Sequence, residues 1–290
     1  MKKPISILLS LLLCFGTLCG CSAQEESAQD QGTEPAPQEE EVSDEINYAD
    51  NAFLQQNYPT RGTAENLNTR PLQEGEEIAV ITTSMGEFRV RFFPEVAPLA
   101  VENFKQLASS GRYNNTIFFR VINNFVIQGG DTTNTGSGFD SYNGGTFADE
   151  FSEQALNLRG ALCMANQGTA NTNGCQFYVV QAPQEALTSN IWTQLRERMD
   201  RVYPDAIKVL YQTYGGCPWL DFSYTVFGQV YDGMETVDAI AAVSTNEQDK
   251  PDTDVVIQSI TLTTYTSAGQ QSAASTASET STASTVTPAA

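Results

Sequence analysis

The sequence predicts a mainly β protein, a closed antiparallel barrel accompanied by two separated helices. Three observations predict it. Short β-type runs recur along residues 78–264, Gly- and Asn-rich turns separate them, and amphipathic helical patterns interrupt the series in only a few places. No internal repeat is visible.

The elements follow in order. Residues 78–83 and 88–93 read as a hairpin around Ser84-Met85-Gly86. Pro98 opens a helix in which Val101, Phe104, Leu107 and Ala108 share one face, and Gly111 ends it. Strands are expected at 117–122, 125–128, 161–165, 176–181, 226–230 and 255–263, with a second helix over 235–243. Between 184 and 216 the character changes. Ile191, Leu195 and Met199 recur every four residues, Pro204 interrupts, and 206–214 resumes a helical pattern up to Gly215-Gly216. This is a helical insertion in the barrel, with packing, a lid and a partner surface all open as its role.

The flanks differ from this domain. Lys2 and Lys3 precede an apolar run from Ile5 to about Leu18, too short for a bilayer-spanning helix, which needs about 20 apolar residues. The run ends in Leu18-Cys19-Gly20-Cys21, which resembles a bacterial lipobox. Residues 1–20 are therefore expected to be a lipoprotein signal peptide, with Cys21 the lipidated first residue. Residues 22–77 hold 14 acids against two arginines, so 21–77 is expected to be an acidic, largely disordered linker, a self-repelling spacer to about residue 60 with 61–77 partly ordered against the domain. Residues 265–290 are almost only Ser, Thr, Ala, Gly and Gln, a flexible tail. The expected location is outside the cytoplasm, anchored by lipid at the bacterial cell membrane.

Composition removes whole classes of function. The 290 residues carry a formal net charge of −20, which argues against nucleic acid, because phosphate binding needs clustered Lys and Arg. Much of the acidity belongs to the linker. Zero histidine excludes Ser-His-Asp and Cys-His catalysis and removes the commonest metal ligand. Cys163, Cys175 and Cys217 show no CxxC spacing, so neither a disulfide framework nor a zinc site is expected. Gln128-Gly129-Gly130-Asp131 lacks the GxGxxG spacing, and no glutamate closes a calcium loop after Asp131, Asn134 and Gly136. Both read as turns, and no cofactor is expected.

What stands out is apolar and amide-rich. The strings are Phe118-Phe119-Arg120, Phe125-Val126-Ile127-Gln128-Gly129-Gly130-Asp131, Met164-Ala165-Asn166, Asn171-Thr172-Asn173-Gly174-Cys175-Gln176-Phe177-Tyr178, and Trp219-Leu220-Asp221 before Val226-Phe227-Gly228. In these strings, and in their order, the sequence resembles the cyclophilin family of peptidyl-prolyl cis-trans isomerases. The resemblance runs from about Ile78 to Thr263, broken mainly by the insertion. It implies the family's eight-stranded antiparallel barrel capped by two helices, which agrees with the pattern of elements.

The resemblance also implies roles. Arg120 would face the substrate prolyl group, and Gln128 would contact substrate and help hold that arginine. Phe125, Tyr178 and Leu220 would wall a proline pocket with Val126 beside them. The Asn166 backbone would bond the residue before proline, Ala165 would line the adjoining groove, and Trp219 would lie at the rim. Gln176 and Tyr178, both counted among the substrate-binding residues, share a face by strand alternation, which leaves Phe177 for the core. Tyr178 and Tyr224 depart from the eukaryotic pattern, which has phenylalanine and histidine there. The implied partners are proline-containing polypeptide clients, with a cyclosporin-type ligand leaning on Trp219 as a candidate occupant. The chain is expected to act as a monomer.

Overall fold

The computed structural model describes residues 48–267. The signal peptide, the lipidation site Cys21, the linker up to residue 47 and the tail from residue 268 lie outside the described residues.

Nine strands among the described residues form one antiparallel sheet: β1 (Glu77–Thr83), β2 (Gly86–Phe92), β3 (Thr116–Ile117), β4 (Arg120–Ile122), β5 (Val126–Gly129), β6 (Ala161–Met164), β7 (Phe177–Val180), β8 (Val226–Asp232) and β9 (Val256–Thr264). They pair in the order β3-β9-β1-β2-β8-β6-β7-β5-β4. The two edge strands, β3 and β4, are separated only by Phe118-Phe119, so the curled sheet returns on itself through the chain. The single strand expected over 117–122 is thus two. Its halves pair with opposite ends of the sheet, Ile117 with Val256 and Arg120 with Gln128, which raises the strand count from eight to nine.

The interior is apolar because alternate residues of the longer strands point into it. Ile81, Phe88, Val121, Ile127, Leu162, Phe177, Val179 and Phe227 belong to one buried cluster. Two helices cover it. In α2 (Pro98–Ser109), Val101, Phe104 and Leu107 are buried, and Phe104 meets Phe92, Tyr113, Phe177 and Phe227 with ring centroids 5.2–5.8 Å apart. The N-cap Ala97 has no capping side chain. Glu150 supplies that function from a distant loop, accepting from the Leu99 and Ala100 amides at 3.0 Å each. In α5 (Met234–Ala241), Val237 and Ile240 are buried in the same cluster.

The insertion contains α3 (Ile191–Met199) and α4 (Asp205–Tyr214). Its register is sparser than the four-residue repeat suggested, because Leu195 is buried whereas Met199 is exposed.

The departure from the expected spacer lies in 48–60. This stretch carries α1 (Ala52–Asn57), capped by the Asn51 side chain on the Leu54 amide at 2.9 Å. Leu54 and Tyr58 pack with Tyr203, Ile207 and Tyr211 of the insertion in a second apolar cluster. Beyond them, Asn68 bonds both ways to the Leu156 backbone at 3.0 Å, and Arg91 pairs with Glu76.

Candidate active site

Strand register assembles the site. Arg120 on β4 stands opposite Gln128 on β5, Gln128 opposite Tyr178 on β7, Tyr178 opposite Cys163 on β6, and Cys163 opposite Val226 on β8. These five residues form a row across the outer face of the sheet, since their neighbours Val121, Ile127, Val179, Leu162 and Phe227 fill the interior. On that outer face Val126, Ala165, Tyr178 and Val226 form an apolar floor, and Phe125, Trp219, Leu220 and Tyr224 pack against it half-buried. The result is an apolar surface with an arginine at one edge.

Arg120 is held on its flank, not at its tip. Its Nε lies 3.5 Å from Asp249 Oδ2, and its guanidinium carbon lies 6.0 Å from the Phe125 ring centroid. The side chain stays 36% exposed, so a ligand on the apolar floor can reach its N–H groups. Gln128 Nε2 donates to Gln176 Oε1 at 3.0 Å, and Gln176 Nε2 in turn donates to Gly138 O at 2.9 Å. Gln176 is buried, so it serves to orient Gln128.

Two ring pairs form the walls. Phe125 and Trp219 stack at 6.2 Å with an interplanar angle of 25°. Tyr178 meets Tyr224 edge-on at 5.6 Å. Burial raises the Tyr224 phenol pKa, and the Arg120 charge opposes that shift. The Tyr178 hydroxyl does not enter the pocket. It donates to Asn157 Oδ1 at 2.8 Å beneath the floor, and burial pushes its pKa well above the ordinary tyrosine range. The Asn166 side chain donates to Ser223 O at 2.9 Å, and among the described residues its own N–H and C=O have no main-chain partner.

A family model for cyclophilin-type peptidyl-prolyl cis-trans isomerases matches residues 78–262. The chain belongs to the cyclophilin family. Among curated relatives, a putative peptidyl-prolyl cis-trans isomerase of Staphylococcus aureus is 48% identical over 191 residues, 66% of this chain and 94% of that protein. One of Staphylococcus haemolyticus is 46% identical, over 66% of this chain and 93% of that protein. Among solved structures, a cyclophilin-type isomerase of Cryptosporidium parvum aligns with TM-score 0.52 and 30% identity, over 66% of this chain and 99% of that one. The same protein in the presence of the dipeptide Ala-Pro gives TM-score 0.51 at 30% identity, over 65% of this chain and 99% of that one. The chain is accordingly a peptidyl-prolyl cis-trans isomerase of the cyclophilin type, and its sheet capped by α2 and α5 is the family's fold.

The structure brings all eleven residues picked out within this cyclophilin domain to one region, nine of them at the apolar face itself. Gln176 sits behind Gln128, and Asn166 flanks the floor. Sequence reasoning missed Asp249, Asn157 and the carboxylate of Asp221. The last stood in the quoted Trp219-Leu220-Asp221 string, which was its one visible signal. Asp221 is buried, accepting from Asn157 N at 2.9 Å and from Tyr211 Oη at 2.7 Å. Burial raises its pKa to about 6 against these bonds and the Arg201 charge. Asp131 accepts from Thr133, Thr135 and Gly138, the bonding of a turn. Cys163, Cys175 and Cys217 are free and buried.

Proposed function

We propose that this isomerase accelerates X-Pro rotation in exported or surface proteins, with Arg120 stabilising the twisted amide above the apolar floor. An X-Pro amide resists rotation because its C–N bond has partial double-bond character, and exchange without a catalyst takes tens of seconds. No bond breaks, so neither a nucleophile nor a metal is required. Proline is gripped by Phe125, Val126, Leu220, Tyr178 and Tyr224, with Trp219 at the rim and Ala165 lining the adjoining groove. The Asn166 backbone pairs with the residue before it. As the amide twists, its nitrogen becomes pyramidal and its lone pair becomes available. The Arg120 guanidinium donates to that lone pair, with Gln128 helping to align substrate and arginine. The planar ground state offers no such acceptor, so the interaction exists only near the transition state.

The observation that supports this reading most is the reachable tip of Arg120, flanked by Asp249 and Phe125 at the edge of an otherwise apolar surface. The test is relaxation of an Ala-Pro peptide with the full-length chain and with Arg120→Ala. The wild type should exceed the buffer rate and the variant should approach it; two equal rates would overturn the reading.

The exported location rests on the leader and on Cys21, whose lipid would hold the chain at the membrane as a monomer. The negative charge of the domain gives anionic headgroups nothing to attract, so the anchor would be the lipid alone. Fatty-acid labelling should appear in the wild type and vanish in Cys21→Ala. The stacked Trp219 also supports a cyclosporin-type ligand as an inhibitor, measurable by the same exchange assay.

A further inference from the structure

Immediately after the insertion, the segment Pro218–Tyr224 carries Trp219, Leu220 and Tyr224 along the wall. Three insertion side chains bond to it. Tyr203 Oη donates to Pro218 O at 2.5 Å, and Tyr211 Oη donates to the Asp221 carboxylate. Arg201, between α3 and α4, does more. Its Nη1 donates to Trp219 O at 2.8 Å and to Asp221 O at 2.7 Å, and its Nη2 donates to Ser223 Oγ at 2.7 Å.

The segment needs such support. Phe222 has φ +55°, a left-handed conformation that an aromatic residue adopts only when its surroundings impose it. Its ring meets Phe53 and Tyr58 of the N-terminal arm edge-on, with centroids 5.8 and 5.1 Å away, and the Arg201 guanidinium lies 5.9 Å from the Phe53 ring centroid. One planar fork thus binds three points of the wall and rests on the arm. Both the arm and this contact lie outside the Arg120–Gln128 row.

We infer that Arg201 is a positioning residue for the isomerase site: the insertion works through its guanidinium to hold the Trp219–Tyr224 wall where proline binds. The inference rests on the proposed pocket and deepens it. Arg201 touches no reacting atom, so it acts on the grip on peptide and leaves the rotation step alone.

The experiment measures the dissociation constant of an Ala-Pro peptide and the exchange rate at saturation by NMR line shape, on the full-length chain. Arg201→Ala should weaken binding roughly tenfold, about 1.4 kcal/mol of lost grip, while the saturated rate stays within about twofold. Arg201→Lys retains the charge but loses the fork, and should weaken binding about threefold. If the alanine variant does not fold, the lysine variant decides. Wild-type affinity in the folded variants overturns the proposal, as does a loss confined to the saturated rate. Arg120→Ala run in parallel separates the two levels. If that chain exchanges as fast as the wild type, the pocket reading fails and this proposal with it; if only the Arg201 variants behave as wild type, the pocket reading stands.

Discussion

Tyr178 lays its ring in the apolar floor while its hydroxyl, 2.8 Å from Asn157 Oδ1, bonds beneath it. One residue therefore serves two layers. The ring faces the pocket and meets Tyr224, and the hydroxyl joins an inner network in which Asn157 donates to Asp221 and Tyr211 of the insertion does the same. The extra oxygen that distinguishes this chain from a phenylalanine-bearing pattern costs the pocket none of its apolar character.

Tyr178→Phe should accordingly keep exchange activity within about threefold while losing about 1–2 kcal/mol of stability, since a buried acceptor is left with only the Cys163 thiol at 3.4 Å. Urea unfolding and peptide exchange measured on one preparation check both parts. A large activity loss at unchanged stability would mean that the hydroxyl faces substrate.

Asp221 should leave a signature in the pH dependence of stability. Its folded pKa is raised from 3.8 to about 6, first by burial. A raised carboxyl pKa favours folding fully below the unfolded value, and that contribution is lost as pH rises through the folded one. The window is therefore pH 4 to 6. Asp221→Asn cannot titrate, so the wild-type stability relative to the variant should fall by about 2–3 kcal/mol from pH 4 to pH 7. A difference that stays flat across this range would contradict the assignment.

Gly130 follows the site strand directly and has φ +79°, and a Cβ there would lie 2.6 Å from the Phe177 ring and 2.9 Å from Cys175 O. Gly130→Ala should cost about 2–4 kcal/mol through left-handed strain and overpacking together. Thermal unfolding reads the loss. A melting temperature equal to the wild type would show that β5 and β7 can part without penalty.

These expectations also mark what the sequence could and could not disclose. Strand alternation alone separated Phe177 from Tyr178, one into the interior cluster and one onto the outer floor. The ordered strings brought Arg120, Phe125, Gln128 and Trp219 to one face, because each string is a strand or turn whose residues are local. The network beneath the floor was not legible. Asn157 and Asp221 are 64 positions apart, and neither carries a periodic signal that names its partner. The arm was obscured differently: Leu54 and Tyr58 are isolated in an acidic stretch, and only the insertion provides the apolar surface they bury against. The continuous β-type run over 117–122 changes partners at Phe118-Phe119, which no periodicity marks.

The central claim is that Arg120 acts on the twisted amide and little on the resting one. NMR exchange on an Ala-Pro peptide measures both quantities at once, affinity and saturated rate, for the wild type and Arg120→Ala. The account predicts a dissociation constant within about threefold of the wild type and a saturated rate lower by about a hundredfold or more. A rate that is preserved at saturation, with the whole loss appearing as weaker binding, would contradict it.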